Sequence, residues 1–474
     1  MTELLQESLD GDYEMSSVGP TSSFRTDTSS AALAYQLEPQ DGVNVQELPA
    51  VDSGRKAWTF CISAFVLETM VWGFGFSYGI FQDYYTSNPP FNTASPVAIA
   101  AVGTTSIAIQ YAECLFLSFF FGRYPDMVTR YMWGGLGLAV TSLFISSFAT
   151  KVWQLVLLQG VFFGIGAGLL YFPVILLLPQ WFVRRRGLAG GIIFAGSGVG
   201  GFAFPFVLNA LLNHTGYAWT LRAWALCMLF VSGIALLGVR PRVPVAKFQP
   251  GQRRPRLIPP GMEFLKNPLF YAFAATNIIQ ALSYFPVSLY IATFTKSVGS
   301  PLSATIVLSL FNSSGVVGQI LIGHLTDRFP YPWIMFVSAV GSGIAAFLLW
   351  GFANTLAQVF AFAIMFGGLS GGFSSVWPAA AADCAGSKPE HAGITFGSTA
   401  LCKGVAAVIG PIISGILYEA GKASSSGPAR YGSFGFGTVE IFVGTCAIAT
   451  SIGSILVAAT KNGTLRVPRA MRAS

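Results

Sequence analysis

The chain has 474 residues, of which 53% are apolar and only 10% charged, against roughly 25% charged in typical globular domains. So few charges could not cover the surface of soluble domains of this total size, so the composition excludes them and requires a lipid-facing body. The net charge of +7 hides a split: ten of the 20 acidic residues precede Ser53, whereas 26 of the 27 bases follow Gly54.

Taken in chain order, residues 1–54 are rich in Ser, Thr, Asp, Glu and Gln and are expected to form a disordered acidic cytoplasmic tail. They show no basic-then-apolar signal pattern, so the first membrane span is expected to serve as the insertion signal. From Ala57 onward, apolar runs of bilayer-crossing length, about 20 residues, recur. They lie at 57–81, 97–121, 131–149, 152–178, 187–211, 223–239, 268–294, 302–325, 333–352, 356–382, 394–418 and 434–459. Backbone groups in lipid must be satisfied internally, and runs this long are helices rather than barrel strands. The expected fold is therefore an all-α integral membrane protein with twelve transmembrane helices in two sets of six. The N-terminal half covers 55–239, a basic, Pro-rich cytoplasmic loop 240–267, the C-terminal half 268–460 and a basic cytoplasmic tail 461–474.

With both ends in the cytoplasm, 21 bases fall on the cytoplasmic side and five on the outer side, with Lys403 inside a span. That sorting follows the positive-inside rule. The cell membrane is the expected location, with the vacuolar membrane as the alternative. The bases form no continuous patch, so nucleic acid is not an expected partner. All six cysteines lie in apolar runs, and no CxxC, HExxH or GxxxxGK[ST] motif occurs. Neither metal nor cofactor is expected. The three histidines, His214, His324 and His391, lie at span ends or in loops and make no catalytic constellation, so an enzyme is not expected.

After the second run the chain reads Gly122-Arg123-Tyr124-Pro125-Asp126-Met127-Val128-Thr129-Arg130, and after the eighth Gly323-His324-Leu325-Thr326-Asp327-Arg328. The same Gly-x-x-x-Asp unit thus recurs 201 residues apart, at the same point of each half. Glycine permits close helix approach, the aspartate caps or pairs locally, and the base fixes the cytoplasmic side. The unit resembles the loop motif of the major facilitator superfamily, which is built from two six-helix halves. Two further stretches are similar to the monocarboxylate-porter family, and to its fungal members in particular. One runs from Asp52-Ser53-Gly54 through Ala57-Trp58 to Trp72-Gly73 and Ser77-Tyr78-Gly79-Ile80-Phe81-Gln82-Asp83-Tyr84-Tyr85. The other is Gln180-Trp181-Phe182-Val183-Arg184-Arg185-Arg186-Gly187-Leu188-Ala189-Gly190-Gly191.

The resemblance implies a secondary transporter that moves a small organic acid or related metabolite by alternating access, with protons as the candidate coupling ion. Export of a secondary metabolite and solute sensing without transport are the alternatives it leaves. In the proton-coupled carriers of that family, span eight bears an Asp and an Arg four residues apart. Gly315 and Gln319 stand at those places here, so a different substrate or coupling site is implied.

Ionisable groups at membrane depth are costly and need a reason. Glu68, Glu113, Lys403 and Glu440 are the four here. Spans two and eleven meet across the halves in the superfamily fold, so Lys403 is expected to pair with Glu113 in the outward-open state, with Glu68 as the competing partner. Glu440 is expected at the membrane interface. Asn277, Gln280 and Tyr284 share one helical face, as do Ser370, Ser374 and Trp377, and Asn312 with Gln319. Such faces either line a cavity for a polar organic solute, here an organic anion, or hydrogen-bond helices to one another.

Overall fold

The computed structural model describes residues 48–244, 248, 253–259, 262–386, 388, 391–424 and 431–465. The acidic tail up to Glu47 and the basic tail beyond Leu465 lie outside the described residues. No strand occurs among those described. Ten helical stretches among them are long and apolar enough to cross a membrane. One of these, Arg186–Gly238, has 53 residues, about 80 Å of helix, far more than the roughly 30 Å of a bilayer core. It breaks at Gly216, where φ is 75° and ψ 171°, a conformation that glycine adopts without steric cost. That stretch is therefore two spans. Val128–Ser146, 19 residues diluted by Arg130 and three glycines, is the twelfth.

In chain order the helices are α1 (Gly54–Ser87), α2 (Pro96–Arg123), α3 (Val128–Ser146), α4 (Val152–Trp181), α5 (186–215), α6 (217–238), α7 (Pro268–Val298), α8 (Pro301–Thr326), α9 (Tyr331–Trp350), α10 (Leu356–Ala385), α11 (Ala392–Ser424) and α12 (Gly437–Leu465). The starts are written in the sequence. Ser95-Pro96, Asn267-Pro268 and Ser300-Pro301 each place a capping side chain before a proline at the first helical position. Thr355 and Gln358 form a reciprocal capping box at the start of α10.

Large apolar side chains such as Phe116, Phe230, Ile234 and Ile416 stand about two-thirds or more exposed on the outside. That surface is stable only against lipid. Within the body, small residues let the helices touch. A Cβ at Gly200 would lie 2.5 Å from the Gly73 Cα, which joins α5 to α1. Between the halves, α5 meets α8 along a glycine seam that runs from Gly187 and Gly191, against Gly323 and the Gln319 carbonyl, up to Gly198 and Gly201, against Asn312. From Gly187 to Gly201 the seam covers fifteen residues, about 21 Å of helix. On the other side α2 meets α11 where Gly397 faces the Cys114 backbone and Gly404 faces Tyr111.

Glu440 departs from expectation. It is fully buried at the start of α12, and neither carboxylate oxygen has a hydrogen-bond partner among the described residues. The chain before α12 turns through Gly432 and Gly435, both at positive φ, and folds back over it.

Candidate substrate cavity

A cavity of about 70 Å³ lies at mid-depth between the halves, with walls from α1, α2, α4, α5, α7, α8, α10 and α11. Glu68 enters it from α1, immediately before a π-helical stretch at Thr69–Gly73. Such wide turns displace the helix register locally and recur at functional sites. Here the π turn carries Trp72 into the same cavity, where its ring lies 4.7 Å from that of Tyr111 and 6.4 Å from that of Tyr171. Glycine at 196 lets the α5 backbone close on the Glu68 Cβ and fixes the height of the carboxyl.

On the opposite wall Lys403 is 3% exposed. Its Nζ donates to Ser374 Oγ at 3.2 Å and stands 4.6 Å from the centre of the Trp377 ring. No carboxylate lies within ion-pair distance of it among the described residues. A cation–π contact and one hydroxyl compensate a buried ammonium only in part. Two other polar atoms on the cavity wall, Gln319 Oε1 and Trp377 Nε1, are buried without a partner among the described residues. Buried polar groups are normally satisfied, and a solute carrying both donors and acceptors would satisfy these.

Seven of the twelve intramembrane residues singled out in the sequence line this cavity: Glu68, Tyr284, Gln319, Ser370, Ser374, Trp377 and Lys403. Besides Glu440, four do not. Asn277 donates to the Thr399 carbonyl at 3.0 Å, and Gln280 donates to the carbonyl and hydroxyl of Ser370 at 3.0 and 3.1 Å. Asn312 donates to the Gly201 carbonyl at 3.1 Å and belongs to the α5–α8 seam. These three bind helix to helix. Glu113 turns into its own half against Gly168, where a Cβ would collide with its carboxyl. The expected Glu113–Lys403 pair is therefore not formed. The face that α2 presents to α11 is Tyr111 and Cys114, and Glu113 is two residues from the former, about 200° round the helix. Trp72, Tyr111, Phe285 and Phe396 also line the cavity, and residue type alone did not mark them, because aromatic side chains such as Phe116, Trp153 and Phe230 stand on the outside of the same body.

At the end of the molecule that carries both Gly-x-x-x-Asp units, hereafter the loop end, three aspartates organise the backbone. Asp327 accepts from the amides of Gly187 at 2.6 Å and Leu188 at 2.8 Å, closing the α5–α8 seam. Burial pushes its carboxyl up, against the opposing pull of those two amides. Asp52 accepts from the amides of Val183, Arg184 and Arg185 at 2.9, 3.0 and 2.9 Å. Burial would raise this carboxyl, but the three amides outweigh it and hold it below its ordinary range. Asp126 does not repeat the role of Asp327: it accepts two bonds, at 2.6 and 3.0 Å, from the guanidinium of Arg254 in the loop between the halves. That hydrogen-bonded pair holds the Asp126 carboxyl low. Gly323 is buried in the seam, while Gly122, Arg130 and Arg328 are exposed.

The profile described as Major Facilitator Superfamily matches residues 60–411. Among similar curated proteins is an aspyridones efflux protein of Emericella nidulans, 29% identical over 397 residues that cover 83% of this chain and 76% of the relative. An MFS transporter of Aspergillus flavus is 28% identical, with coverage of 84% and 88%. A fujikurins efflux protein of Gibberella fujikuroi is 30% identical, with coverage of 75% and 73%.

Proposed function

Because the chain belongs to the Major Facilitator Superfamily, we propose that this transporter exports an amphipathic organic anion, a secondary metabolite, through the cavity between its halves. The observation that carries the reading is Lys403, a buried cation without a carboxylate partner among the described residues, set in an aromatic wall opposite Glu68. An anionic group of the solute neutralises Lys403, and Trp72, Tyr111 and Trp377 receive its apolar body. Relatives named for the efflux of aspyridones and fujikurins support the outward direction. The small size of the cavity supports a narrowed state that widens when the halves rock.

Glu68 is the proposed proton site, loaded when the cavity faces outward and released inward. The placement of the coupling group in α1 fits the absence of an Asp–Arg pair at Gly315 and Gln319. Glu113 is proposed as a packing residue against Gly168. Within the superfamily, the stretches Asp52–Tyr85 and Gln180–Gly191 support placement in the monocarboxylate-porter family as a fungal-type member. The proposed halves are 55–239 and 268–460, with both chain ends cytoplasmic in the cell membrane, supported by the distribution of 21 bases against five. The proposed activity is transport and not catalysis.

Expression of the gene in a yeast strain stripped of its own exporters, followed by comparison of fed aromatic and aliphatic acids in cells and medium, tests the reading. Cells should retain less of at least one such acid than controls, and Lys403→Ala should abolish the difference. Equal retention of every acid in both strains overturns it.

A further inference from the structure

We infer that the protein holds a second solute site, a loading vestibule for amphipathic organic anions at the loop end, one helical turn below the central cavity. It is a space of about 620 Å³, within the range of small-molecule pockets, against about 70 Å³ at the centre. Its walls include Phe121 and Ser118 of α2, Leu176 and Gln180 of α4 and Ile394 of α11, and residues 255–257 and 259 of the inter-half loop lie across it.

Three observations converge on this space. The first is its position on the same helices as the central cavity. Cys114 lines the upper space and Ser118 the lower; on α4 and α11 the corresponding residues are Ile175 and Leu176, and Phe396 and Ile394. Along α2 the offset is about 6 Å. Two close contacts divide the spaces: Gly397 against the Cys114 backbone, and Gly393 against the Leu176 side chain.

The second is a broken symmetry. On the α5–α8 side Asp327 bonds the first amides of α5 and seals the loop end. On the α2–α11 side the matching Asp126 is drawn away from α11 by Arg254, which also packs over Tyr124 at 4.8 Å and Phe248 at 4.7 Å. The seam therefore stops at Gly397, and the start of α11 borders open space. The loop itself is pinned at Pro255, whose carbonyl accepts from Arg123 at 3.1 Å.

The third is charge. With Asp126 neutralised by Arg254, the ionisable groups left on the walls among the described residues are Arg256 and His391. An apolar chamber rimmed by a guanidinium favours an apolar body with one anionic group. This is the chemistry that Lys403 receives one turn further in, so the vestibule deepens the export reading. Its occupancy does not depend on that reading, however. The Arg254–Asp126 pair is the latch that holds the loop over the chamber.

Two thiols report the two spaces separately in the full chain in lipid nanodiscs: native Cys114 for the centre, and the thiol introduced by Ser118→Cys for the vestibule. The probes are anionic sulfonatoethyl and cationic trimethylammonioethyl methanethiosulfonate, each rate being normalised to a free small thiol and read by peptide mass spectrometry. The vestibule thiol should react with the anion faster than with the cation by roughly tenfold, and Arg256→Ala should erase the preference. Asp126→Asn should speed modification of both the vestibule thiol and Cys114. Decanoate should protect the vestibule thiol, whereas decyltrimethylammonium should not. Gly122→Leu, at a wall position where nothing lies within 4 Å of an added Cβ, should abolish that protection in a folded protein. An unreactive vestibule thiol, equal normalised rates with both probes, or no protection by decanoate overturns the vestibule. Failed export with these labelling results intact would overturn the transport reading alone.

Discussion

Lys403 separates function from stability within one side chain. An ammonium that is 3% exposed and held by a hydroxyl and an indole face is undercompensated for its lost hydration. Lys403→Met removes that cost while filling similar volume, so its melting temperature in detergent should equal or exceed that of the wild type. Export should fall in the same variant. A charge-assisted contact is worth about 1.5–3 kcal/mol, so the apparent affinity for an anionic substrate should drop roughly ten- to hundredfold. A melting temperature well below wild type would mean that the lysine is structural. Glu68→Gln should leave binding of the anion intact but make export independent of an imposed pH gradient, as measured in vesicles. Asp52 belongs to the opposite kind. Its carboxylate ties three amides of the α4–α5 turn, and Asp52→Asn should cost about 1 kcal/mol without altering substrate affinity. Because its folded pKa lies below the ordinary 3.8, this contribution is fully present above that value and is lost only as pH falls below it. The stability gap between wild type and variant should therefore be constant from pH 5 to pH 8 and should close in stronger acid.

At the scale of the helix, the α5–α8 seam is a contact that alternating access must break. It holds little beyond backbone approach: one hydrogen bond from Asn312, a row of glycines and, at the loop end, the two amide bonds accepted by Asp327. A side chain at Gly191 would press on the Gln319 carbonyl, so Gly191→Leu should wedge the loop end apart. Spin labels at Arg184→Cys and Arg328→Cys should report a longer distance by double electron–electron resonance. An unchanged distance in a folded variant would place the moving contact elsewhere. The helices themselves were legible in the sequence because lipid imposes length and apolarity. The azimuth of each helix was not legible. Asn277, Gln280 and Tyr284 do share a face, yet only Tyr284 reaches the cavity, since the first two are absorbed by Thr399 and Ser370. Periodicity says which residues lie together; it does not say which neighbour they meet. The same gap explains Glu113, whose depth in the membrane suited Lys403 while its direction did not, and Glu440, whose burial depends on a turn through Gly432 that hydropathy does not record.

For the molecule as a whole, the two Gly-x-x-x-Asp units are alike in sequence and unlike in use, and that difference sets the order of opening. Asp327 bonds α5 amides across the halves, whereas Asp126 is tied to the loop that links them. At the loop end the aspartates therefore join the halves directly on the α5–α8 side and only through the connecting loop on the α2–α11 side. If both contacts stabilise the loop-closed state, their removal should act on the same equilibrium by different amounts. Losing two charge-assisted amide bonds in Asp327→Ala removes about 1.5–3 kcal/mol or more, enough to shift the ratio of closed to open forms by roughly ten- to hundredfold. Asp126→Ala breaks a pair that is partly exposed at both ends, a kind that contributes little to stability because solvent screens it. The first variant should populate the loop-open form at equilibrium, visible as a second distance between the labels at 184 and 328. The second should leave that distance alone and change only the rates at which reagents reach Ser118→Cys and Cys114. Equal effects of the two variants on the 184–328 distance would mean that the two sides open together, and that the asymmetry of their aspartates has no part in the cycle.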